Sequence, residues 1–323
     1  MLNGLRRHVT GFALLGALSL SAHATTPAAP SELRIGYQKG AVGMVLAKSH
    51  RLLEQKWPDT RVTWVEFPAG PQLLEALNVG SIDVGGTGDI PPIFAQAAGA
   101  DLLYVGAEPA KPLAEVILVA QESPIKRVAD LKGKKVAFQK GSSSHNLLLR
   151  ALQQAGLRFS DIQPVYLTPA DARAAFQQHN VDAWAIWDPY YSAALEQGGV
   201  RVLTDGRTLN LTGSFYLAER RWTEKNAAFL QQVLATFSEA DGLTRSDKPQ
   251  SIKLLSQTIG LPESVISRYL QHRPEMTIKP VSADIAARQQ QTADLFYSNR
   301  LLPKKIDIRQ RIWQPATQQG EKS

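Results

Sequence analysis

The sequence predicts an α/β protein made of two lobes with similar topology, followed by a run of C-terminal helices. Short β-branched strands alternate with helices between residues 33 and 203 over brief connections, as in sheets with helical crossovers. Residues 73–92 and 172–191 repeat one order of helix, turn, Asp-bearing strand, polar loop and helix. From Trp222 onward the pattern is helical, with breaks at Pro or Gly. The repeat therefore predicts two related lobes whose polar loops face each other.

In the first lobe, the predicted strands lead through short loops into helices. Pro71 stands in the first turn of its helix, where a missing N–H costs nothing. The predicted strands cover 33–37, 62–67, 82–86 and 102–106, and the predicted helices cover 42–54, 71–78 and 91–98. This order predicts a parallel sheet whose strands are joined by helical crossovers.

A strand over 115–121 leaves the first lobe, and the same alternation then starts again. In the second lobe the predicted strands cover 135–138, 162–167, 183–187 and 200–203, and the predicted helices cover 125–131, 144–155, 170–178 and 189–197. A further strand is predicted over 214–218, and the C-terminal helices over 226–246, 249–259, 262–272 and 282–298. A chain of this length can form two lobes with separate cores.

The first 24 residues have the form of a secretory signal peptide. Arg6 and Arg7 precede an apolar run over 9–20, and the segment ends in the pattern A-x-A at Ala24. A basic start, a short apolar run and a small-residue end are typical of such a signal, whereas a membrane-spanning helix needs about twenty apolar residues. We expect cleavage after Ala24 and export of the remaining chain.

Composition narrows the classes of function. The 323 residues include no Cys, which excludes disulfides and thiolate metal sites. The net charge of +7 is spread without runs of Lys and Arg, whereas a nucleic-acid surface needs clustered basic residues with interleaved aromatics. Of the six His residues, those at 8 and 23 precede the cleavage site, and the others lack the spacing of a zinc site. We expect no metal, no other cofactor and no nucleic-acid partner.

The sequence does not contain the common enzyme motifs. It has no phosphate-binding P-loop, no G-x-G-x-x-G dinucleotide motif and no G-x-S-x-G nucleophile elbow. His145 follows Ser144, but consecutive residues at a helix start do not face each other as base and nucleophile. No convincing pair of carboxylates is present for acid–base work. The sequence therefore predicts a protein that is not an enzyme.

The stretch QKGSSSHNLLLR, residues 139–150, predicts an anion-binding site. It follows a buried strand and combines a glycine, three serines and the start of an apolar helix. The first N–H groups of a helix have no partner within it, and the helix dipole adds positive charge there. Such an end binds anions without a cationic side chain. The simpler interpretation, a plain Ser N-cap, stays open at this point.

The carboxyl ends of the predicted strands gather further candidate residues, since ligands bind at that edge of open α/β sheets. Trp187 should face the ligand and Trp184 the core, because they lie on opposite faces of one strand. Asp89 and Asp188 should cap the helices that follow them or meet an ammonium group. Lys39 is the only cation in the set. The candidate ligand-binding residues are Gln38, Lys39, Gly40, Thr87, Gly88, Asp89, Ser142, Ser143, Ser144, His145, Trp187, Asp188 and Tyr190.

Four segments of the chain, 33–40, 78–92, 130–149 and 169–191, resemble the aliphatic-sulfonate-binding proteins of bacterial ABC importers. The similarity is densest in QKGSSSHNLLLRAL and DAWAIWDPYYSAAL. These proteins belong to the nitrate/sulfonate/taurine group of periplasmic solute-binding proteins. The resemblance implies a two-lobed type II periplasmic binding protein, with the ligand cleft between lobes that close by a hinge motion.

The resemblance also implies where the lobes divide and how the ligand is held. The first lobe would contain residues 25–115 and 218–323, and the second lobe residues 116–217. The helix start at Ser142–His145 would hold the sulfonate oxygens, and Thr87–Asp89 would face it from the other lobe. Aromatic walls for the organic tail would come from Trp187 and Tyr190.

The expected function is capture of alkanesulfonates by a periplasmic monomer and their delivery to the membrane permease of an ABC importer for sulfur acquisition. Three alternatives stay open. The same scaffold could bind taurine, nitrate or an aromatic sulfonate, or it could carry an enzyme, since a fold does not fix a function. The ligand domain of a transcription regulator would need an N-terminal helix-turn-helix, where the signal peptide stands instead.

Overall fold

The computed structural model describes residues 29–314. The expected signal peptide and its cleavage site lie outside these residues. In the described part, the ten strands are β1 (Glu32–Tyr37), β2 (Arg61–Glu66), β3 (Val84–Thr87), β4 (Leu102–Glu108), β5 (Glu115–Ala120), β6 (Lys135–Phe138), β7 (Gln163–Tyr166), β8 (Ala183–Trp187), β9 (Val200–Asp205) and β10 (Ser214–Glu219).

Twelve α-helices connect and cover these strands within residues 29–314. They are α1 (Val42–Ser49), α2 (Leu52–Lys56), α3 (Gly70–Asn78), α4 (Ile90–Ala97), α5 (Ser143–Gln154), α6 (Pro169–Gln177), α7 (Tyr190–Gln197), α8 (Arg220–Lys225), α9 (Ala227–Ser246), α10 (Lys248–Ile259), α11 (Glu263–Gln271) and α12 (Ala283–Ser298). None of these twelve helices is both long enough and apolar enough to cross a membrane.

The strands form two sheets with one topology. The first sheet has the order β2-β1-β3-β10-β4, and the second has the order β7-β6-β8-β5-β9. In both sheets the fourth strand in this order arrives from the other sheet and runs antiparallel to its neighbours. The predicted two-lobed α/β class is confirmed, but the prediction of parallel sheets was incomplete, because it missed these two exchanged strands.

The pairing of strands β5 and β10 indicates where the chain passes from one lobe to the other. Strand β5 begins at Glu115 in the second sheet, one residue before the expected boundary at 116. Strand β10 pairs with β3 and β4, so the expected boundary at 217 falls inside a strand of the first sheet. We therefore propose that the second lobe ends before Ser214, and that residues 109–114 and 206–213 form the two crossovers.

Two predicted helices differ from the observed ones. The helix expected over 42–54 is divided into α1 and α2 by Arg51, whose φ of 55° is left-handed. The helix expected over 125–131 is only a 3₁₀ turn at Val128–Leu131. There the carboxylate of Asp130 accepts the backbone N–H groups of Lys126 and Arg127 at 2.9 and 3.0 Å. Such local bonds compete with helical ones.

The C-terminal helices return to the first sheet, as the resemblance implied. Helix α9 packs along α1, and Phe237 of α9 shares one apolar core with Leu46, Leu255 and Ile266. Helix α12 completes the other face through Phe296, which packs in a cluster with residues of α3 and α4. Burial of these apolar faces holds the first lobe together.

Replacing Leu148 by Ala tests how strongly the second sheet depends on α5. The side chain is fully buried in the core between α5 and the sheet, so its truncation should lower the free energy of unfolding by about 2–5 kcal/mol. The side chain of Val79 is 73% exposed, and Val79→Ala should change that free energy by less than about 0.5 kcal/mol. Urea unfolding followed by circular dichroism measures both. Equal effects of the two substitutions would contradict this packing.

Candidate ligand-binding site

A cavity of about 80 Å³ lies between the carboxyl ends of the two sheets, with walls from both lobes. A space of this size holds several water-sized groups. Eight of the thirteen candidate residues line it, namely Gln38, Gly40, Thr87, Gly88, Ser142, Ser143, Trp187 and Asp188. The structure thus brings together loops that are more than a hundred residues apart in the sequence.

The start of α5 forms the wall from the second lobe. Strand β6 ends at Phe138, and Gly141, with a φ of 73°, lets the chain turn into the helix. Ser142 is the N-cap residue, but its side chain makes no capping bond. Its hydroxyl instead donates to the Gln139 carbonyl at 2.7 Å and lies 2.9 Å from Ser144 Oγ. The plain N-cap interpretation is therefore wrong. The His145 N–H donates to the Ser142 carbonyl at 3.0 Å, so the N–H groups of Ser143 and Ser144 are the first-turn donors without a partner within the helix.

The loop between β3 and α4 faces α5 from the first lobe. A Cβ on Gly88 would lie 2.9 Å from Ser143 Cβ, and a Cβ on Gly40 would lie 2.9 Å from the Asp188 carbonyl oxygen. Both distances are shorter than real Cβ contacts, so glycine at these positions allows the lobes to meet. Thr87 Oγ1 lies on the same side, shielded from solvent and without a hydrogen-bond partner.

Two candidate residues of α5 do not line the cavity. Ser144 is fully buried and bonds to Ser142. His145 is fully buried too, and its ring packs against aromatic side chains of both lobes, while its Nδ1 accepts the Gly141 N–H at 3.2 Å. Those aromatic side chains are Phe94, Phe138, Phe159 and Phe296. The expectation that His145 faces the ligand is corrected, because helical periodicity turns it into the core.

Lys39 also lies away from the cavity. Its Nζ donates to the Ile259 carbonyl at 2.8 Å and lies 3.9 Å from the Glu66 carboxylate. The cation that lines the cavity is Lys111, which stands in the first crossover and donates to Ser214 Oγ at 2.7 Å. The expectation of Lys39 as the only cation in the site is therefore wrong.

The two Asp residues at the echoing loops have different surroundings. Asp188 lines the cavity, and its Oδ1 accepts the Ser192 N–H at 2.8 Å, which caps α7 as expected. Asp89 is buried beside the cavity and makes no capping bond to α4. Its Oδ2 accepts the Asn146 amide at 2.6 Å, and burial raises the pKa of its carboxyl to about 6, against the opposing effect of that hydrogen bond.

A further contact between the lobes, beside the cavity, joins α7 of the second lobe to α11 of the first. His272 Nδ1 lies 2.7 Å from Asp188 Oδ2, and the His272 ring stacks on Tyr191. Arg268 donates to the Ser192 carbonyl at 3.1 Å and pairs with Glu196 at 3.0 Å. These polar contacts, which we call the α7–α11 contact, join the second lobe to the first.

Of the two aromatic candidates, Trp187 and Tyr190, only the first lines the cavity. Trp187 lines the cavity, while Trp184 is buried in the core, as predicted. Tyr190 lies outside the cavity wall, with its ring 6.2 Å from the Trp187 ring in an edge contact. Burial raises the pKa of Tyr190 above its ordinary value, so its hydroxyl stays neutral. The role of Tyr190 is to pack against the Trp187 ring.

Sequence reasoning missed six polar side chains of the cavity, Glu108, Lys111, Glu115, Ser214, Tyr216 and Tyr269. Three of them lie at or near the first crossover, and Tyr269 comes from α11 and donates to the Gly40 carbonyl at 2.6 Å. Glu115 carried a usable signal, because it opens the otherwise apolar strand EVILVA. The residues of the crossover could not be placed at the site without knowledge of where the chain passes between sheets.

The chain matches a family model described as NMT1/THI5 like over residues 62–241, which is more than half of its length. The chain belongs to the NMT1/THI5-like family. It is also 73% identical over 316 residues to an aliphatic sulfonates-binding protein of Escherichia coli (strain K12), and the match covers 98% of this chain and 99% of that protein. The resemblance that the sequence segments indicated is therefore confirmed.

Two solved structures share the fold of this chain. The periplasmic aliphatic sulphonate binding protein of Escherichia coli has a TM-score of 0.83 and 77% identity, over 89% of this chain and 94% of that chain. The alkanesulfonate-binding protein of Xanthomonas axonopodis pv. citri, bound to MOPS, has a TM-score of 0.87 and 59% identity, over 88% of this chain and 99% of that chain. The type II periplasmic binding fold is thereby confirmed.

The acid stability of the protein should depend on His145. Burial lowers the pKa of its imidazole to about 3, whereas the unfolded chain has the ordinary value of about 6.5. The unfolded state therefore binds the proton first, and stability falls as the pH drops from 6.5 toward 3. A change from pH 7 to pH 4.5 lowers the free energy of unfolding of the unsubstituted protein through this protonation. In His145→Phe this contribution is absent, so its decrease should be smaller by about 2–3 kcal/mol.

Urea unfolding at the two pH values measures this difference. The matched control is His179→Asn, because His179 is exposed with a left-handed φ of 57° that Asn tolerates. This control should retain the full pH dependence. The same dependence in His145→Phe would mean that His145 is protonated in the folded protein.

Proposed function

We propose that the protein binds aliphatic sulfonates in the cavity and delivers them to the membrane permease of a bacterial ABC importer for sulfur acquisition. The observation that carries this proposal is the 73% identity, over 98% of the chain, to an aliphatic sulfonates-binding protein. The relative from Xanthomonas axonopodis pv. citri, bound to MOPS, supports it, because MOPS is a propanesulfonate that carries a morpholine ring.

The start of α5 is the proposed site of the sulfonate group. A sulfonate is a monoanion whose three oxygens accept hydrogen bonds, so it suits free N–H groups at a helix N-terminus. Ser142 and Ser143 line the cavity at this end. Thr87, with its shielded and unpaired hydroxyl, would add a donor from the facing lobe.

The hydrogen-bond donors of the site are sufficient for micromolar affinity for a sulfonate. Micromolar affinity corresponds to about −8 kcal/mol. Hydrogen bonds to a charged group contribute about 1.5–3 kcal/mol each, so a few of them exceed this value before the cost of ordering is subtracted. The organic tail would lie against Trp187, whose ring is braced by Tyr190.

The lobes are proposed to close over the ligand by a hinge at the two crossovers. Glycines at 40 and 88 allow the close approach, and the α7–α11 contact adds polar bonds between the lobes. A periplasmic location, a monomeric state and cleavage after Ala24 belong to the same proposal. The proposal does not include catalysis, because the relatives on which it rests are binding proteins.

A panel of ligands tests the proposed function. Pentanesulfonate and MOPS at about 100 times their dissociation constants should stabilise the protein by about 2.7 kcal/mol, which is a rise in Tm of several degrees. Nitrate, sulfate and taurine should have little effect. Differential scanning fluorimetry measures the shift, in phosphate buffer because many common buffers are themselves alkanesulfonates. A protein whose Tm rises only with nitrate or taurine would require one of the alternative ligands.

Truncation of Ser143 should weaken sulfonate binding more than truncation of Lys39. Loss of one charge-assisted hydrogen bond costs about 1.5 kcal/mol or more, which is about a tenfold increase in Kd. The Lys39 ammonium is bonded to Ile259 away from the cavity, so Lys39→Ala should leave Kd within about twofold. Isothermal titration calorimetry with pentanesulfonate measures both variants. The reverse order would mean that a lysine, not the helix end, holds the anion.

A further inference from the structure

Glu115 places a carboxyl group in the wall of the anion-binding cavity. It is the first residue of β5 and is paired in register with Trp187 of β8, and its half-buried side chain lines the cavity. Its Oε2 is shielded from solvent and has no hydrogen-bond partner. A carboxylate in this position would stand beside the start of α5, where a negative ligand is expected, and would repel it.

The charged groups around Glu115 do not neutralise it. Lys111 faces the same cavity, but its ammonium donates to Ser214 Oγ at 2.7 Å, and the ion pairs found among residues 29–314 do not join it to Glu115. Tyr216 and Tyr269 also line the cavity, and burial keeps both hydroxyls neutral by raising their pKa values. The other titratable groups that face Glu115 from adjoining elements are carboxyl groups, and each has a partner of its own. They are Asp89, bonded to Asn146, Asp188, bonded to His272, and Glu108, which accepts the Tyr216 hydroxyl at 2.9 Å.

These surroundings favour the neutral form of Glu115. Burial, followed by the charge of Asp89, raises the pKa of the Glu115 carboxyl to about 8, although Lys111 and the Ser143 hydroxyl act in the opposite direction. A raised pKa means that the folded protein holds the proton at neutral pH, and an anion bound nearby stabilises the neutral form further. At pH values well above 8, the empty protein would have to take up a proton before an anion could bind.

We propose that Glu115 carries a proton whenever an anionic ligand occupies the cavity, so that an empty protein with an ionised Glu115 takes up a proton when the anion binds. The neutral carboxyl then offers a hydrogen bond in place of a repelling charge, and the proton comes from solvent. This inference rests on the proposed function, since it concerns the same cavity. It makes Glu115 a specificity-determining residue, because a neutral carboxyl does not repel an anion and offers a cation no opposite charge.

The affinity for pentanesulfonate should therefore depend on pH in one direction. The ligand does not titrate in the accessible range, so any dependence belongs to the protein. Calorimetry at pH 6, 7, 8, 9 and 9.5 should give a constant Kd up to about pH 7 and an increase that approaches tenfold per pH unit above about pH 8. Non-sulfonate buffers are required throughout, because a sulfonate buffer would compete for the cavity.

The variant Glu115→Gln identifies the group that titrates. Gln keeps the shape and a hydrogen-bond donor but cannot ionise, so its Kd at pH 9.5 should stay within about twofold of its Kd at pH 6. The matched control is Glu224→Gln, since Glu224 is exposed on α8, and this variant should retain the full pH dependence. A pH dependence that persists in Glu115→Gln and disappears in Glu108→Gln would overturn the assignment.

Proton uptake provides a measurement that needs no variant. Titration of the unsubstituted protein in phosphate and in Tris, which differ in ionisation enthalpy, should give uptake of about half a proton per ligand at pH 8 and more at pH 9. Equal affinity at pH 6 and pH 9.5 with no uptake would overturn the role of Glu115 and leave sulfonate binding intact. Failure to bind any sulfonate at pH 6 would overturn the proposed function itself. Affinity for taurine that rises with pH would show an ionised Glu115 that binds ammonium.

Discussion

The close approach of the two lobes at the start of α5 is the constraint on which the site depends. Gly88 stands so near Ser143 that a single methyl group would separate the lobes. Beside this point, Asn146 of α5 donates to the buried carboxylate of Asp89 in the first lobe, and Arg150 reaches Thr292 of α12 at 3.0 Å. The helix end that is free to bind an anion is therefore fixed by polar bonds one turn later. A ligand would meet donors whose positions are already determined, which reduces the cost of ordering them.

The two sides of the interface between the lobes differ in chemistry. On the α5 side, the ring of His145 packs against Phe94 and Phe296 of the first lobe, and water is excluded. At the α7–α11 contact, Arg268 and Glu196 form an ion pair whose side chains are each about one-third exposed. Exposed pairs contribute little, since water replaces them at small cost. The α5 side therefore depends on apolar packing, whereas the α7–α11 side depends on polar contacts that include the buried pair of Asp188 and His272.

Much of the architecture could be predicted from local patterns. The echo between residues 73–92 and 172–191 identified two lobes of one topology, and the glycine and serines before Asn146 identified a helix end at the cavity. The exchanged strands could not be predicted, because apolar strands such as EVILVA pair equally well with either sheet by sequence alone. For the same reason Lys111 and Glu115, which lie where the chain changes sheets, were missing from the candidate residues. His145 was misplaced because one step along a helix turns a side chain by about 100°.

The exchange of strands also has a consequence for the order in which the chain can fold. The second sheet is built from one continuous segment, β5 to β9. The first sheet needs β10 between β3 and β4, and its helical face needs α9 to α12 from the C-terminal part of the chain. During synthesis or export from the N-terminus, the segment that begins the first lobe emerges early but lacks its partners. The second lobe, although later in sequence, is the first that can complete its core, and the N-terminal strands must wait for the end of the chain.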